Sequence, residues 1–405
     1  MTDEDPRPGH DRRRVIAALG VIQILAWGSS YYLLAVLARP IAEETGWSYA
    51  WVVAGVSLGL LVAGGVSLRV GRTIEARGGR QVLGASAVLL AAGLLVMAAA
   101  PVVPVYLAAW LLIGAGMGAG LYDAAFSTLG RLYGAGARGA ITQLTLWGGF
   151  ASTVCWPLSA WLVEAVGWRG ACLAYAGLHV AVTLPLALTV IPREARRTPE
   201  VRSEAALTGG GQRRDGGMIW MLGGLLTIAG VIAAIWSVHL ITLLQAGSVS
   251  MAGAVALGAL VGPAQVAARV VEMASGSRHH PIWTMAAAAM LIAAGLGLLW
   301  YGDGAPAVAL IAYGAGNGIW SIARGTLPLA LFGPRGYAEL MGRLAMPSLI
   351  AQALAPSIGA VLIVRFGADF TIGTLAVLAA VNLVGVAILW AMARARTRDA
   401  APRGA

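Results

Sequence analysis

Two residues in this sequence could do ionic chemistry where ions are costly. The stretch "GAGMGAGLYDAAFSTLGRLY", residues 114–133, carries Asp123 inside a long apolar run, and the nearest cation along the chain is Arg131. An ionised carboxylate in hydrocarbon costs about 2.5–3.5 kcal/mol on insertion scales. Asp123 must therefore be paired, hydrated or protonated. A second apolar run carries Arg324 at a similar depth. A carboxylate that alternates between an apolar surrounding and an arginine can take up and release a proton. Two roles follow for Asp123: a proton or substrate site, or a static pair with an arginine of residues 69–80. Arg324 either meets Asp123, binds an anionic ligand, or snorkels to the membrane surface. Histidine is the side chain that titrates nearest neutrality, so His239 is a second candidate for proton coupling or else a packing residue.

These side chains need helices to hold them. Positions 116, 120, 123 and 127 share one face of a continuous helix, so Gly116, Gly120, Asp123 and Ser127 should point the same way. Small residues allow close helix approach, which places that face inside the protein. Asn317, Trp320 and Arg324 likewise share a face.

Of 405 residues, 59% are hydrophobic and 11% charged, with mean hydropathy +0.77. Soluble domains carry about 25% charged residues, so this is an integral membrane protein. The net charge of +10 does not indicate nucleic acid, because the basic residues lie in short clusters between apolar runs. All of the basic residues are arginine. Residues 1–14 are polar and charged, without the apolar core of a cleaved signal peptide.

A helix needs about 20 apolar residues to cross the hydrocarbon. Twelve runs qualify: 15–38, 49–70, 81–100, 104–133, 139–165, 168–191, 218–245, 251–274, 281–301, 306–332, 338–364 and 369–393. With the N-terminus inside, the external loops hold Arg39, Arg169 and Arg365, Arg324 lies within a span, and the other arginines fall at the internal ends. That asymmetry puts both termini in the cytoplasm, in a cytoplasmic (inner) membrane. Residues 192–217, rich in Arg and Gly, read as a cytoplasmic linker between two sets of six spans. The divisions are a tail 1–14, a bundle 15–191, the linker 192–217, a bundle 218–393 and a tail 394–405.

The halves repeat. "GAGMG" at 114–118 returns as "GAGNG" at 314–318, "LYG" at 132–134 as "LFG" at 331–333, and "SLGLLVAGG" at 57–65 as "ALGALVGPA" at 256–264. A six-span repeat of this period predicts an all-α membrane protein of twelve transmembrane helices in two pseudo-symmetric six-helix bundles, related by an axis along the membrane normal.

This pattern resembles the major facilitator superfamily. The segment after the second span, "GRTIEARGGRQ" at 71–81, resembles that family's gate motif through Gly71, Gly78 and Arg80, with Glu75 in place of Asp and Arg72 and Arg77 supplying basic charge. "WGSSYYLLAVLARPIAEETGWS" at 27–48, "VHLITLLQAG" at 238–247 and "GPAQVAAR" at 262–269 are similar to its monocarboxylate-porter-like and arsenite-efflux-like branches. The resemblance implies that Glu75 sits near the start of the eleventh helix, around Glu339 to Arg343, latching the bundles. It also implies that the first, fourth, seventh and tenth helices line a central cavity. The cavity candidates are then Gln23, Trp27, Ser29, Tyr31 and Tyr32 from the first, Tyr122 and Asp123 from the fourth, Trp236 and His239 from the seventh, and Asn317, Trp320 and Arg324 from the tenth.

The function implied is secondary active transport of a small organic or toxic solute by alternating access, coupled to protons, with efflux favoured. The alternatives are movement of an organic anion, arsenite efflux, or a membrane receptor or scaffold. No nucleotide-binding or catalytic motif stands in the sequence, and an enzyme, a cofactor and a metal site are not expected. Cys155 and Cys172 read as apolar packing, and His179 and Glu164 as structural residues near span ends. The partners are the solute, protons and the bilayer, and one chain suffices for a pathway.

Overall fold

The computed structural model describes residues 12–195, 211–247, 249–275, 278–302 and 306–400. It is helical throughout these residues and forms two six-helix bundles. Seven helical stretches are long and apolar enough to cross a membrane, and two of them, Val103–Thr189 and Tyr337–Arg396, contain more than one crossing.

Several crossings are broken, where continuous runs were expected. The first span is α1 (Arg12–Gly28) and α2 (Leu34–Thr45), joined by a turn over 29–33. Spans two and three are α3 (Tyr49–Arg77) and α4 (Gly79–Ala99). The fourth is α5 (Val103–Gly120) and α6 (Tyr122–Tyr133), separated at Leu121, whose ψ of −170° is extended. The fifth and sixth spans are α7 (Ala137–Gly149), α8 (Ala151–Leu178) and α9 (Leu184–Thr189), with a π turn at His179–Thr183. In the second half, α10 (Gly211–Ala246) is the seventh span, α11 (Met251–Gly258) and α12 (Val261–Ala274) the eighth, α13 (Pro281–Tyr301) the ninth and α14 (Pro306–Phe332) the tenth. The eleventh and twelfth share α15 (Tyr337–Ala400).

Each half ends in a hairpin that reverses on one glycine. Gly167 (φ 72°, ψ 171°) turns span five into six, and Gly367 (φ 86°, ψ 171°) turns eleven into twelve. Side chains rarely adopt such φ values, so glycine is required at both. The repeat extends to packing. A Cβ on Gly114 would lie 2.4 Å from the Gly59 carbonyl of span two, and one on Gly314 would lie 2.7 Å from the Val261 carbonyl of span eight. Gly116 and Gly316 meet spans three and nine in the same way, at Leu90 and at Ala288 with Ile292.

Several helix boundaries lie beyond the expected ones. The seventh helix begins at Gly211, not 218, and the twelfth continues to Ala400, not 393. Arginine and glutamine sustain a helix beyond the hydrocarbon, so hydropathy understates its length. Tail residues 1–11 and 401–405 and linker residues 196–210 lie outside the described residues. On the face opposite the chain ends, Arg169 ties three loops. It pairs with Glu44 at 3.1 Å, donates to the Ala98 and Ala100 carbonyls, and stacks on Trp168 at 4.2 Å.

Candidate functional site

The bundles meet closely on the face that carries the chain ends. A Cβ on Gly71 would lie 2.3 Å from the Ala338 carbonyl, and one on Gly342 would lie 2.5 Å from the Ser67 carbonyl. Only hydrogen side chains let α3 and α15 cross at this distance. Glu75 accepts from the Ala338 backbone N–H at 3.3 Å. That N–H belongs to the first turn of α15, where helix donors lack partners and an anion is favoured. Arg72 pairs with Glu339 at 3.1 Å, and Arg343 joins the same carboxylate oxygen at 2.7 Å. Arg72 therefore carries the ion pair between the bundles at this seam. Gly78 (φ 83°) makes the reversal into α4, while Arg77 is exposed and Arg80 half-buried.

Asp123 and Arg324 lie just inside this seam. Arg324 Nη2 donates to Asp123 Oδ2 at 2.5 Å, joining the fourth span to the tenth. Both side chains are largely buried, at 16% and 10% exposure. Arg324 neither snorkels nor leaves Asp123 to an arginine of residues 69–80. The other carboxylate oxygen, Oδ1, has no hydrogen-bond partner among the described residues. Tyr337 closes the floor: its hydroxyl donates to the Gly325 carbonyl at 2.7 Å, and its ring occupies the place a Cβ of Gly130 would take.

The break at Leu121 explains why Asp123 points this way. Gly116 and Gly120 face the third span, where Ser86 donates to the Gly116 carbonyl at 2.7 Å. A continuous helix would carry Asp123 to that face as well. The extended Leu121 turns α6 instead, and Asp123 enters the other bundle's surface. The expected shared face of Gly116, Gly120, Asp123 and Ser127 is thus interrupted. The break also frees the Gly120 carbonyl, which accepts from Gln23 Nε2 at 2.6 Å.

Above the pair lies a cavity of about 150 Å³ between the bundles. Spans one and four contribute Trp27, Tyr31, Tyr32, Tyr122 and Asp123, and span ten contributes Asn317, Trp320 and Arg324. Trp27 is the centre of an aromatic cluster, with Tyr31, Tyr32 and Tyr122 ring centroids at 5.5, 5.8 and 5.2 Å. The Arg324 guanidinium stands 5.8 Å from the Trp320 ring centroid. A groove of about 480 Å³ opens beside the cavity between spans one and five, where Trp156 meets the edge of Tyr32.

Four expected cavity residues lie elsewhere. Gln23 is fully buried behind the wall, accepting from Trp27 Nε1 at 3.1 Å while it holds Gly120. Trp236 packs in the second bundle's core against Tyr313, at 5.2 Å. His239 is half-buried and its Nε2 bonds the Pro356 carbonyl at 2.8 Å, within the same bundle. Ser29 turns away to His179, which lies mid-span and not at a span end. Cys155 and Cys172 are both buried in the first bundle, with the Cys155 thiol 3.4 Å from the Ile24 carbonyl.

Arg269 is the residue the sequence reading missed. It is 6% exposed, lines the cavity from span eight, and donates to the Gly318 carbonyl at 3.2 Å. No carboxylate pairs with it among the described residues. Its guanidinium rests where a Cβ on Gly149 of span five would sit. Gln265 and Gln352 line the same cavity.

The architecture has solved counterparts. It superposes on the human organic anion transporter MFSD10 (TETRAN) with a TM-score of 0.73 at 16% identity, covering 94% of this chain and 100% of that one. It superposes on FucP, a Major Facilitator Superfamily transporter in its outward conformation, with a TM-score of 0.72 at 14% identity, covering 92% and 98%. A variant of the E. coli fucose:proton symporter FucP gives 0.71 at 16% identity, covering 92% and 98%. These likenesses establish the fold. Comparison with curated proteins finds no match. The sequence itself matches the Major Facilitator Superfamily over residues 19–335, and the chain belongs to that family.

Proposed function

We propose that this protein is a proton-coupled secondary transporter of a small amphipathic organic solute, with Asp123 and Arg324 as its coupling pair. The observation that carries the reading is the 2.5 Å bond between them, made across the two bundles at the wall of the cavity. Protonation of Asp123 removes the Coulomb attraction and frees the guanidinium. The bundles then separate on the chain-end face, and the cavity changes sides. The face carrying the chain ends is the cytoplasmic one, in the inner membrane, and export is the favoured direction. Spans 15–191 and 218–393 move as the two rigid halves, and a single chain holds the whole pathway.

Cavity size and lining set the solute class. About 150 Å³ falls below the range of about 300–1,000 Å³ usual for drug-sized ligands, so a compact solute fits. Its wall offers aromatic faces from Trp27, Tyr31, Tyr32 and Trp320. A second reading, an organic anion, is favoured by one feature: two arginines face one carboxylate. Arg269 would seat the anion while Arg324 answers to Asp123. The thiols lend arsenite nothing, since neither Cys155 nor Cys172 lines the cavity.

The test is proton movement in proteoliposomes, with benzoate, tetraphenylphosphonium and arsenite as trial solutes and Asp123→Asn alongside wild type. Solute-dependent proton flux that disappears in the variant supports the coupling pair. Equal flux in both proteins makes Asp123 a structural contact, and no flux with any solute removes proton coupling from the reading.

A further inference from the structure

Outside the cavity, the first bundle contains a buried imidazole that the coupling pair does not use. His179 is 1% exposed, and Ser29, fully buried, stands 2.7 Å from its Nε2. Its Nδ1 is 2.9 Å from Thr183 Oγ1. Thr183 Oγ1 in turn donates to the His179 carbonyl at 2.8 Å. That carbonyl can only accept, so the threonine proton is committed and the hydroxyl oxygen must accept from Nδ1–H. Nε2 is then the acceptor of a neutral ring, and Ser29 donates to it. Every polar atom of the triad has a partner in this one arrangement.

Both backbones are wide at the place the triad joins. His179–Thr183 is a π turn. In span one, Tyr32 N–H bonds the Trp27 carbonyl at 3.0 Å, a five-residue reach that inserts one extra residue into the turn. Ser29 sits inside that wide turn. Trp27, Tyr31 and Tyr32 surround it and all three line the cavity. In a regular helix Tyr32 would stand about 100° from Tyr31 and about 140° from Trp27 around the axis. The wide turn brings all three rings into mutual contact, with Tyr31 and Tyr32 centroids 5.4 Å apart.

We infer that His179 is a positioning residue for the solute wall: through Ser29 it holds the wide turn of span one, which presents Trp27, Tyr31 and Tyr32 to the cavity together. This rests on the cavity being the solute site. Wide turns inside helices are inherently less favourable than regular ones and persist where tertiary contacts hold them. Without the bond to Ser29 the turn relaxes, and the aromatic wall loses its shape. The coupling pair, which lies on spans four and ten, is untouched.

The experiment has two arms on the full-length protein, with Ser29→Ala, His179→Ala, the double variant and His179→Gln. Hydrogen–deuterium exchange of the peptide covering residues 27–36 needs no solute. It should quicken in both single alanine variants, with no further gain in the double and partial recovery in His179→Gln. Proteoliposome transport then compares benzoate with acetate, and tetraphenylphosphonium with tetramethylammonium. The preference for the aromatic member should fall by about tenfold, through KM with the maximal rate retained. Unchanged exchange overturns the inference. Faster exchange with the preference intact makes the triad a structural strut only and overturns it too. A wild-type protein that prefers no aromatic solute overturns the site reading and this role together, and the wild type alone reveals that case.

Discussion

Asp123 and Arg324 stand 201 residues apart in sequence, one on each bundle, and meet at 2.5 Å. Each lies in the later part of its half's fourth span. The repeat has placed a carboxylate and a guanidinium at nearly equivalent positions of two similar folds, so the halves meet through corresponding spans.

Removing one partner should cost more than removing both charges. Arg324→Ala leaves a buried carboxylate unpaired, with an expected loss of about 3–5 kcal/mol. Asp123→Asn with Arg324→Gln removes both ions and keeps a polar side chain at each position, and its loss should be smaller than that of Arg324→Ala. Thermal unfolding in detergent compares them. A double variant less stable than Arg324→Ala would mean that the pair is valued for more than its mutual neutralisation.

The seam offers a contrast between shape and charge. Gly71→Ala puts a Cβ 2.3 Å from a backbone oxygen, and overpacking of this kind costs about 1–3 kcal/mol. Arg72→Ala removes an exposed ion pair worth at most about 1 kcal/mol. Spin-label distances across the chain-end face should lengthen clearly in Gly71→Ala and hardly at all in Arg72→Ala. The reverse ranking would make charge the latch.

Arg269 supplies the test of solute charge. If the solute is an anion, Arg269→Gln should raise the KM for benzoate by at least about tenfold, the loss of one charge-assisted bond, and leave tetraphenylphosphonium transport unaltered. Equal effects on both solutes would assign Arg269 to packing against Gly149 and Gly318.

His239 and Trp236 serve as negative controls. His239→Gln and Trp236→Phe lie within the second bundle, away from the cavity, and should change neither the KM nor the proton dependence of transport. A shift of the proton dependence in His239→Gln would restore that residue to the coupling path.

The fold was legible because its signals are long. Twelve apolar runs, the arginine clusters and "GAGMG" against "GAGNG" each average over many residues. The site was legible where polarity stood out against an apolar run, as at Asp123, Arg324 and Tyr122. It was not legible where direction mattered. Nothing in the composition around Leu121 announces a break, yet that break decides where Asp123 points. Trp236 has the same chemistry as Trp320 but faces the opposite way on its helix. Arg269 was lost for another reason. Counting arginines for orientation assigns it to a helix end, and only the packing of α12 against Gly318 and Gly149 reveals it inside. His179 fell to an error of depth: it lies mid-span, and its partner Ser29 is 150 residues away.

The paired reversals at Gly167 and Gly367 carry a consequence for how the molecule can be divided. Each half closes its own last hairpin on a residue of the same handedness, and each packs its glycine-lined span between two of its own neighbours. Only along the seam do the cores interlock, where Leu329, Tyr337 and Met341 of the second half pack with Phe126 and Ile141 of the first. The natural unit of assembly is therefore half the chain. Two polypeptides cut between residues 195 and 211 and made together in one cell should find each other in the bilayer and rebuild the seam that joins Asp123 to Arg324.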